Sequence, residues 1–239
     1  MFRASVAERS AGCWPFRLLA LAVLAGPLLG PPAAAQGLSA LERQVEAVVR
    51  DSWGDAPPSE ARRLAQDDTQ LECSRVRNEP GEVLRARIQA RERERIQYPE
   101  GGLVLGDPVE GERIAKDSYG GRVGRLRPDD PGRPNGGSCR ACHILEPRDD
   151  MGGTLGPPLA RFGLTHGTGP EAVRYVYERV YNPHAFQPCT EMPRFGYHGF
   201  LTVQQILDVA AYLLSPGSPV NRPESPRQEA PAPLRPVPP

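Results

Sequence analysis

The pentapeptide "CRACH", Cys139 to His143, constrains this chain more than any other stretch. Two thiols at this spacing fit on one turn, and the adjacent histidine then faces whatever the thiols hold. The pattern is the attachment signature of a c-type haem, in which both thiols add to vinyl groups and the imidazole meets the iron. Other readings share the motif. A redox-active dithiol would need a surrounding β-α-β pattern. A zinc site would need a second pair of ligands at finger-like spacing. Neither is visible, although five residues are also few enough to occur by chance.

The compartment bears on the choice. Arg3, Arg9 and Arg17 precede "LLALAVLAGPLLG", and "PPAAAQ" follows with a small-residue site at Ala33 to Ala35. A basic start, a short apolar run and such a site form a secretory signal peptide over residues 1–35. A membrane anchor is the rival reading, but Leu18 to Leu29 spans 12 residues and contains Pro27, well short of the ~20 that a spanning helix needs. Cys13 lies ahead of the apolar run, where a lipid-modified cysteine is not expected. The chain reads as an exported, periplasmic, soluble protein with no membrane span after cleavage. Haem attachment of the c type takes place in that compartment.

Charge excludes little else. Lys and Arg number 29 and Asp and Glu 29, and loss of the leader leaves the balance nearly neutral. Nothing in bulk electrostatics argues for nucleic acid. From Pro216 the chain is rich in proline and poor in large apolar residues, so 216–239 is expected to be a disordered tail. Residues 36–215 remain, enough for a sizeable core.

"LSALERQVEAVVRDSW" places Leu38, Leu41, Val45, Val48 and Val49 at helical spacing. "SEARRLAQDDTQL" repeats the pattern weakly through Ala61, Leu64, Ala65 and Leu71. "GEVLRARIQARERERIQ" is dense in charge and reads as a solvated helix held by neighbouring opposite charges. These make a helical extension over 36–106. A short helix follows from about Asp107 to Gly120, then a polar loop over 121–138. "LTVQQILDVAAYLLSP" gives the strongest helix, with a Thr202/Gln205 capping box and an apolar stripe through Ile206, Val209, Ala210 and Leu213. No alternating strand is convincing, and the expected fold class is all-α with long loops.

His143 is the proximal-ligand candidate. For the other face of an iron the residues present are Met151, His166, His184, Met192 and His198. Met151 is tethered too closely to His143, and the three histidines sit in loop-like sequence where solvation is usual.

"GPPL" at Gly156 to Leu159 and "NPHAFQPCTEM" at Asn182 to Met192 resemble the class I cytochromes c, whose haem motif is followed by G-P-x-L and then N-P-x-x-x-x-P-x-T-x-M. The resemblance covers about residues 107–215 and implies a cytochrome c domain there. It implies that the Pro157 carbonyl accepts a hydrogen bond from His143, that Met192 is the distal ligand, and that one covalent haem c (iron) is held by Cys139 and Cys142. A His/Met pair raises the reduction potential relative to two histidines.

"YNPHAFQPCTEMPRFGYHGFLTVQQILDVAAYLL" is further similar to the SoxX family of sulfur-oxidation cytochromes. That resemblance implies an electron-accepting subunit of a SoxAX-type L-cysteine S-thiosulfotransferase, which conjugates thiosulfate oxidatively to a carrier-protein cysteine. The implied partners are a SoxA-like c-type cytochrome in a heterodimer, a SoxY-like carrier protein in passing, and a downstream electron acceptor. The sulfur chemistry would belong to the partner subunit, so no catalytic residue is expected here. Two other functions remain open: a free-standing periplasmic monohaem electron carrier for another redox enzyme or an oxidase, and a haem-based sensor, with an open or labile axial site, or structural module.

Cys73 and Cys189 are left over. An even number of spare cysteines in an exported chain suggests a disulfide. The bridge would close a long loop and contribute at most ~4–5 kcal/mol. It would also pin the extension to the segment carrying Met192. The rival is Cys189 as an iron ligand or persulfide site.

Overall fold

The computed structural model describes residues 39–54, 56–121 and 129–223. The signal peptide, residues 122–128 of the polar loop and the tail from 224 lie outside them. Among the described residues there are helices and turns and no strand, so the fold is all-α there. None of these helices is long and apolar enough to cross a membrane.

Helix α1 (Ala40–Trp53) begins on a reciprocal pair in which Ser39 Oγ accepts from Glu42 N and Glu42 Oε2 from Ser39 N. Its apolar residues recur at helical spacing, yet α1 buries none of them. The chain divides within α1 into a unit ending at Glu46 and a compact unit from Ala47 onward. The rest of the extension, from Ala47, lies in the same compact unit as region 107–215.

Charge and capping break "SEARRLAQDDTQL" into two helices, α2 (Pro58–Leu64) and α3 (Asp68–Arg75). Asp67 is the reason. Its side chain accepts from Gln70 N while the Gln70 side chain accepts from Asp67 N, a capping box that starts a new helix in mid-segment. Helix α4 (Glu82–Glu94) is not the wholly solvated element its charge suggests: Ile88 and Glu92 are both fully buried.

The main core lies between α5 (Pro108–Lys116), α7 (Pro170–Tyr181) and α8 (Val203–Leu214). Asp107 caps α5 by accepting from Val109 N, and Pro108 stands where its missing N–H costs nothing. Thr202 and Gln205 cap α8 reciprocally. α5 and α8 touch backbone to backbone at Gly111, where a Cβ would lie 1.9 Å from the Asp208 carbonyl oxygen. Asp208 is buried at this crossing, and its Oδ1 accepts from Asp107 N at 2.9 Å. Helix α7 starts at Gly169-Pro170 and buries Ala172, Val173, Val176, Tyr177 and Val180 as one stripe. Helix α6 (Phe162–His166) is a short piece beside α8.

Residues Pro219–Asn221, which the sequence reading placed in the tail from Pro216, form a 3-10 turn. Val220 and Asn221 are buried, and Asn221 works as a staple: Oδ1 accepts from Gly163 N at 2.9 Å while Nδ2 donates to the Leu213 and Ser215 carbonyls. One asparagine satisfies the exposed carbonyls at the end of α8 and a donor at the start of α6. Composition alone hides this, because the few residues that matter are flanked by prolines.

Candidate functional site

Cys139 to Ala141 form a single 3-10 turn, fixed to α5 by Gly137 N donating to the Ile114 carbonyl at 2.7 Å and Ser138 N to Asp117 O at 2.8 Å. The turn closes with His143 N donating to Cys139 O at 2.9 Å. Both thiols are free and half-buried. Burial pushes the Cys139 thiol up to about 12, so it rests protonated and is not poised as a thiolate nucleophile.

The following loop folds back on this turn. Gly153 N donates to Arg140 O and Gly156 N to Cys142 O, each at 2.8 Å. Asp149 holds the loop from inside, accepting from Arg140 Nε at 2.8 Å and from the Leu145 and Met151 amides. The Arg140 hydrogen bond keeps the Asp149 carboxyl below the ordinary range. The result is a tight collar around His143. Its Nδ1 lies 2.7 Å from the Pro157 carbonyl oxygen. A carbonyl only accepts, so Nδ1 is the donor, and in the neutral ring Nε2 is then the nitrogen with a lone pair for a metal. The ring fits because residue 156 is glycine: a Cβ there would lie 2.2 Å from His143 Cε1.

Among the distal candidates, Met192 is half-buried and packs on the same apolar cluster as Cys139, Leu159 and Phe162. Met151 is 77% exposed. His166 is exposed and stacks on Phe162 and Tyr175, and His198 lies against Tyr197. His184 is buried, contrary to its loop-like sequence, and its Nδ1 accepts from Cys189 N. Burial, then the nearby Arg194 charge, lowers its pKa and favours the neutral ring.

Cys73 and Cys189 are joined, with S–S 2.10 Å across a sequence separation of 116. With Ile88 and Leu84 they form a small apolar cluster of their own. Cys189 is therefore occupied as a disulfide sulfur in this fold. The extension grips the segment beyond α7 elsewhere too. Gln89 Nε2 donates to Phe186 O at 2.8 Å, Arg93 Nε to Ala185 O at 3.1 Å, and Asn78 Nδ2 to Glu191 Oε1 at 2.6 Å.

Sequence reasoning missed Glu92 and Arg194. Thr69 Oγ1 and Arg95 Nη1 donate to Glu92 Oε1, and Asn182 Nδ2 donates to Oε2 at 2.7 Å. Arg194 Nη1 reaches Oε2 at 3.3 Å, and Nη2 reaches Asp67 Oδ2 at 2.5 Å. Burial would raise the Glu92 pKa, but these donors and charges outweigh it and hold the carboxyl below its ordinary value. The only sequence signal was a glutamate three residues before Arg95 in a run of similar charges.

The donor set fits the haem that the motif implies: two free thiols on one turn, an imidazole with Nε2 available, and a collar with no room for a Cβ at Gly156. Among the described residues, no three His, Cys, Asp or Glu gather as an alternative metal cluster.

Fold and site together define a protein that is helical throughout its described residues and carries a collared thiol–imidazole turn. No family model matches the chain. It is 36% identical over 213 residues, 86% of its own length and 98% of the other's, to an "uncharacterized lipoprotein" of Aquifex aeolicus (strain VF5). The chain belongs to the family of that lipoprotein.

Proposed function

We propose that this chain is an exported monohaem c-type cytochrome with a class I cytochrome c-like domain, and that it is the electron-accepting subunit of a SoxAX-type thiosulfate-conjugating enzyme. The observation that carries the haem reading is the His143–Pro157 bond, which leaves Nε2 available beside Cys139 and Cys142. A lipoprotein is carried across a membrane before it is anchored, so the relative's description supports export of this chain. The position of Cys13 ahead of the apolar run gives no support to lipid attachment here.

When bound, haem supplies a one-electron couple at iron. Cys139 and Cys142 would hold it covalently, so a small helical domain need not enclose it fully. Pro157 would fix the His143 ring and make its Nε2 more basic. Met192 would supply a thioether, which favours the reduced metal. The sulfur step would take place on a partner: thiosulfate forms an S–S bond to a carrier cysteine, releasing two electrons and a proton. This chain would accept electrons singly.

The test is affinity capture of the native protein from source cells, followed by haem staining. A second c-type cytochrome in one-to-one ratio is expected. A haem-bearing protein captured alone would overturn the subunit reading and leave a free-standing electron carrier.

A further inference from the structure

Resting on the haem reading above, we infer that Glu92 is a positioning residue for Met192. The segment from Asn182 to Arg194 leaves α7, passes Cys189 and carries Met192 near its end. Its two ends meet on one oxygen. Asn182 Nδ2 donates to Glu92 Oε2 at 2.7 Å and to the Glu92 carbonyl at 3.1 Å, and Arg194 Nη1 reaches the same Oε2 at 3.3 Å. All three side chains are buried: Glu92 and Asn182 are 0% exposed and Arg194 3%.

The clamp is itself held from the extension. Glu92 Oε1 takes donors from Thr69 and Arg95, while Arg194 is forked between Glu92 and Asp67 at the head of α3. The guanidinium also lies over the Tyr197 ring at 4.7 Å from its centroid. Glu92 therefore cannot follow the segment if it moves, and the segment cannot move without separating buried charges. Removing the Glu92 charge would leave the buried Arg194 with Asp67 alone, and taking one charge from a buried network is the costly direction. Arg194 stands two residues beyond Met192, so its anchorage limits where the thioether can go. The disulfide restrains the middle of the same segment, whereas Glu92 restrains its ends.

The experiment compares the wild type with Glu92→Gln, both made in a host that matures c-type cytochromes. Gln keeps the shape and loses the charge that Arg194 faces. Covalent haem per chain should be unchanged. In the ferric protein the weak red band of methionine–iron ligation should fade, imidazole should bind about tenfold more tightly, equivalent to a loosened thioether of about 1.4 kcal/mol, and the midpoint potential should fall. Asn221→Ala, which removes the staple between the end of α8 and α6 and is bonded to neither the segment nor the Cys139–His143 turn, is the control for general destabilisation. If it shifts imidazole affinity as much as Glu92→Gln, the role of Glu92 is merely structural and the inference fails. An unchanged band and imidazole affinity in Glu92→Gln also overturn it. Should Glu92→Gln not fold, Arg194→Lys, which keeps the charge but loses the fork, must shift both readouts in the same direction, and no shift overturns the inference. Wild type that carries no covalent haem fails differently: it removes the haem reading beneath.

Discussion

Gly156 and His143 are matched so closely that a Cβ on residue 156 would stand 2.2 Å from Cε1 of the imidazole. Gly156→Ala must therefore push the ring away and lengthen the His143–Pro157 bond now at 2.7 Å. With Nδ1 no longer fixed, the imidazole becomes less basic at Nε2 and less well aimed for the proposed ligand role. Loss of an outer partner of this kind typically costs about 10–100-fold in metal affinity or activity. For a covalently held group the loss should be read as lower haem occupancy and faster displacement of the imidazole by external ligands. Electronic spectra of the purified variant at matched protein concentration check this; a wild-type spectrum would contradict it.

The Cys73–Cys189 bridge closes a loop of 116 positions between the extension and the distal segment. Replacing both cysteines with serine should destabilise the protein by about 2–5 kcal/mol. The denaturation midpoint should move, while the haem attachment proposed at Cys139 and Cys142, which involves neither residue, should be unchanged. Chemical denaturation of the double variant, with wild type under reducing conditions beside it, is the measurement.

Acid should release the Glu92 clamp. Its carboxyl is held below the ordinary value of 4.5 in the folded state. The folded state thus binds a proton more weakly than the unfolded one. The clamp's contribution is complete above pH 4.5 and is lost as pH falls through the lower, folded value. Because Arg194 keeps Asp67, Glu92→Gln should lose about 1.5–3 kcal/mol at neutral pH, the net worth of a hydrogen bond to a charged group, and should lack the part of the acid-side decline that Glu92 causes. Thermal unfolding of both proteins across the acid range tests it, and parallel curves would contradict it.

At Gly111 the α5–α8 crossing leaves no space for a side chain, because a Cβ would lie 1.9 Å from a backbone oxygen. Gly111→Ala should cost about 1–3 kcal/mol, the usual penalty for overpacking. Calorimetric Tm reports it directly.

How much of this was legible depended on whether the signal was local. The Thr202 capping box and the apolar stripe of α8 are local, and α8 lies where they put it. The Gly-Pro after the haem motif is also local, and the His143–Pro157 geometry follows. α7 went unread although Gly169-Pro170 opens it, because tyrosines and arginines blur its stripe. Glu92 was invisible for a different reason. A buried carboxylate looks like any surface glutamate until Thr69, Asn182 and Arg194, up to 102 positions away, converge on it. Cys189 shows both sides: its pairing was readable from cysteine parity, while its left-handed backbone, φ +62°, was not. That conformation is uncommon for a residue with a side chain and persists where its surroundings over-determine it.

Covalent haem on Cys139 and Cys142 is the claim on which the rest stands. The most direct measurement is the mass of the denatured protein and of its peptides, after production in a host that matures c-type cytochromes. The account predicts one haem per chain, carried by the peptide containing Cys139 to His143 and retained on denaturation. A chain of unmodified mass, with both thiols open to alkylation, would contradict it.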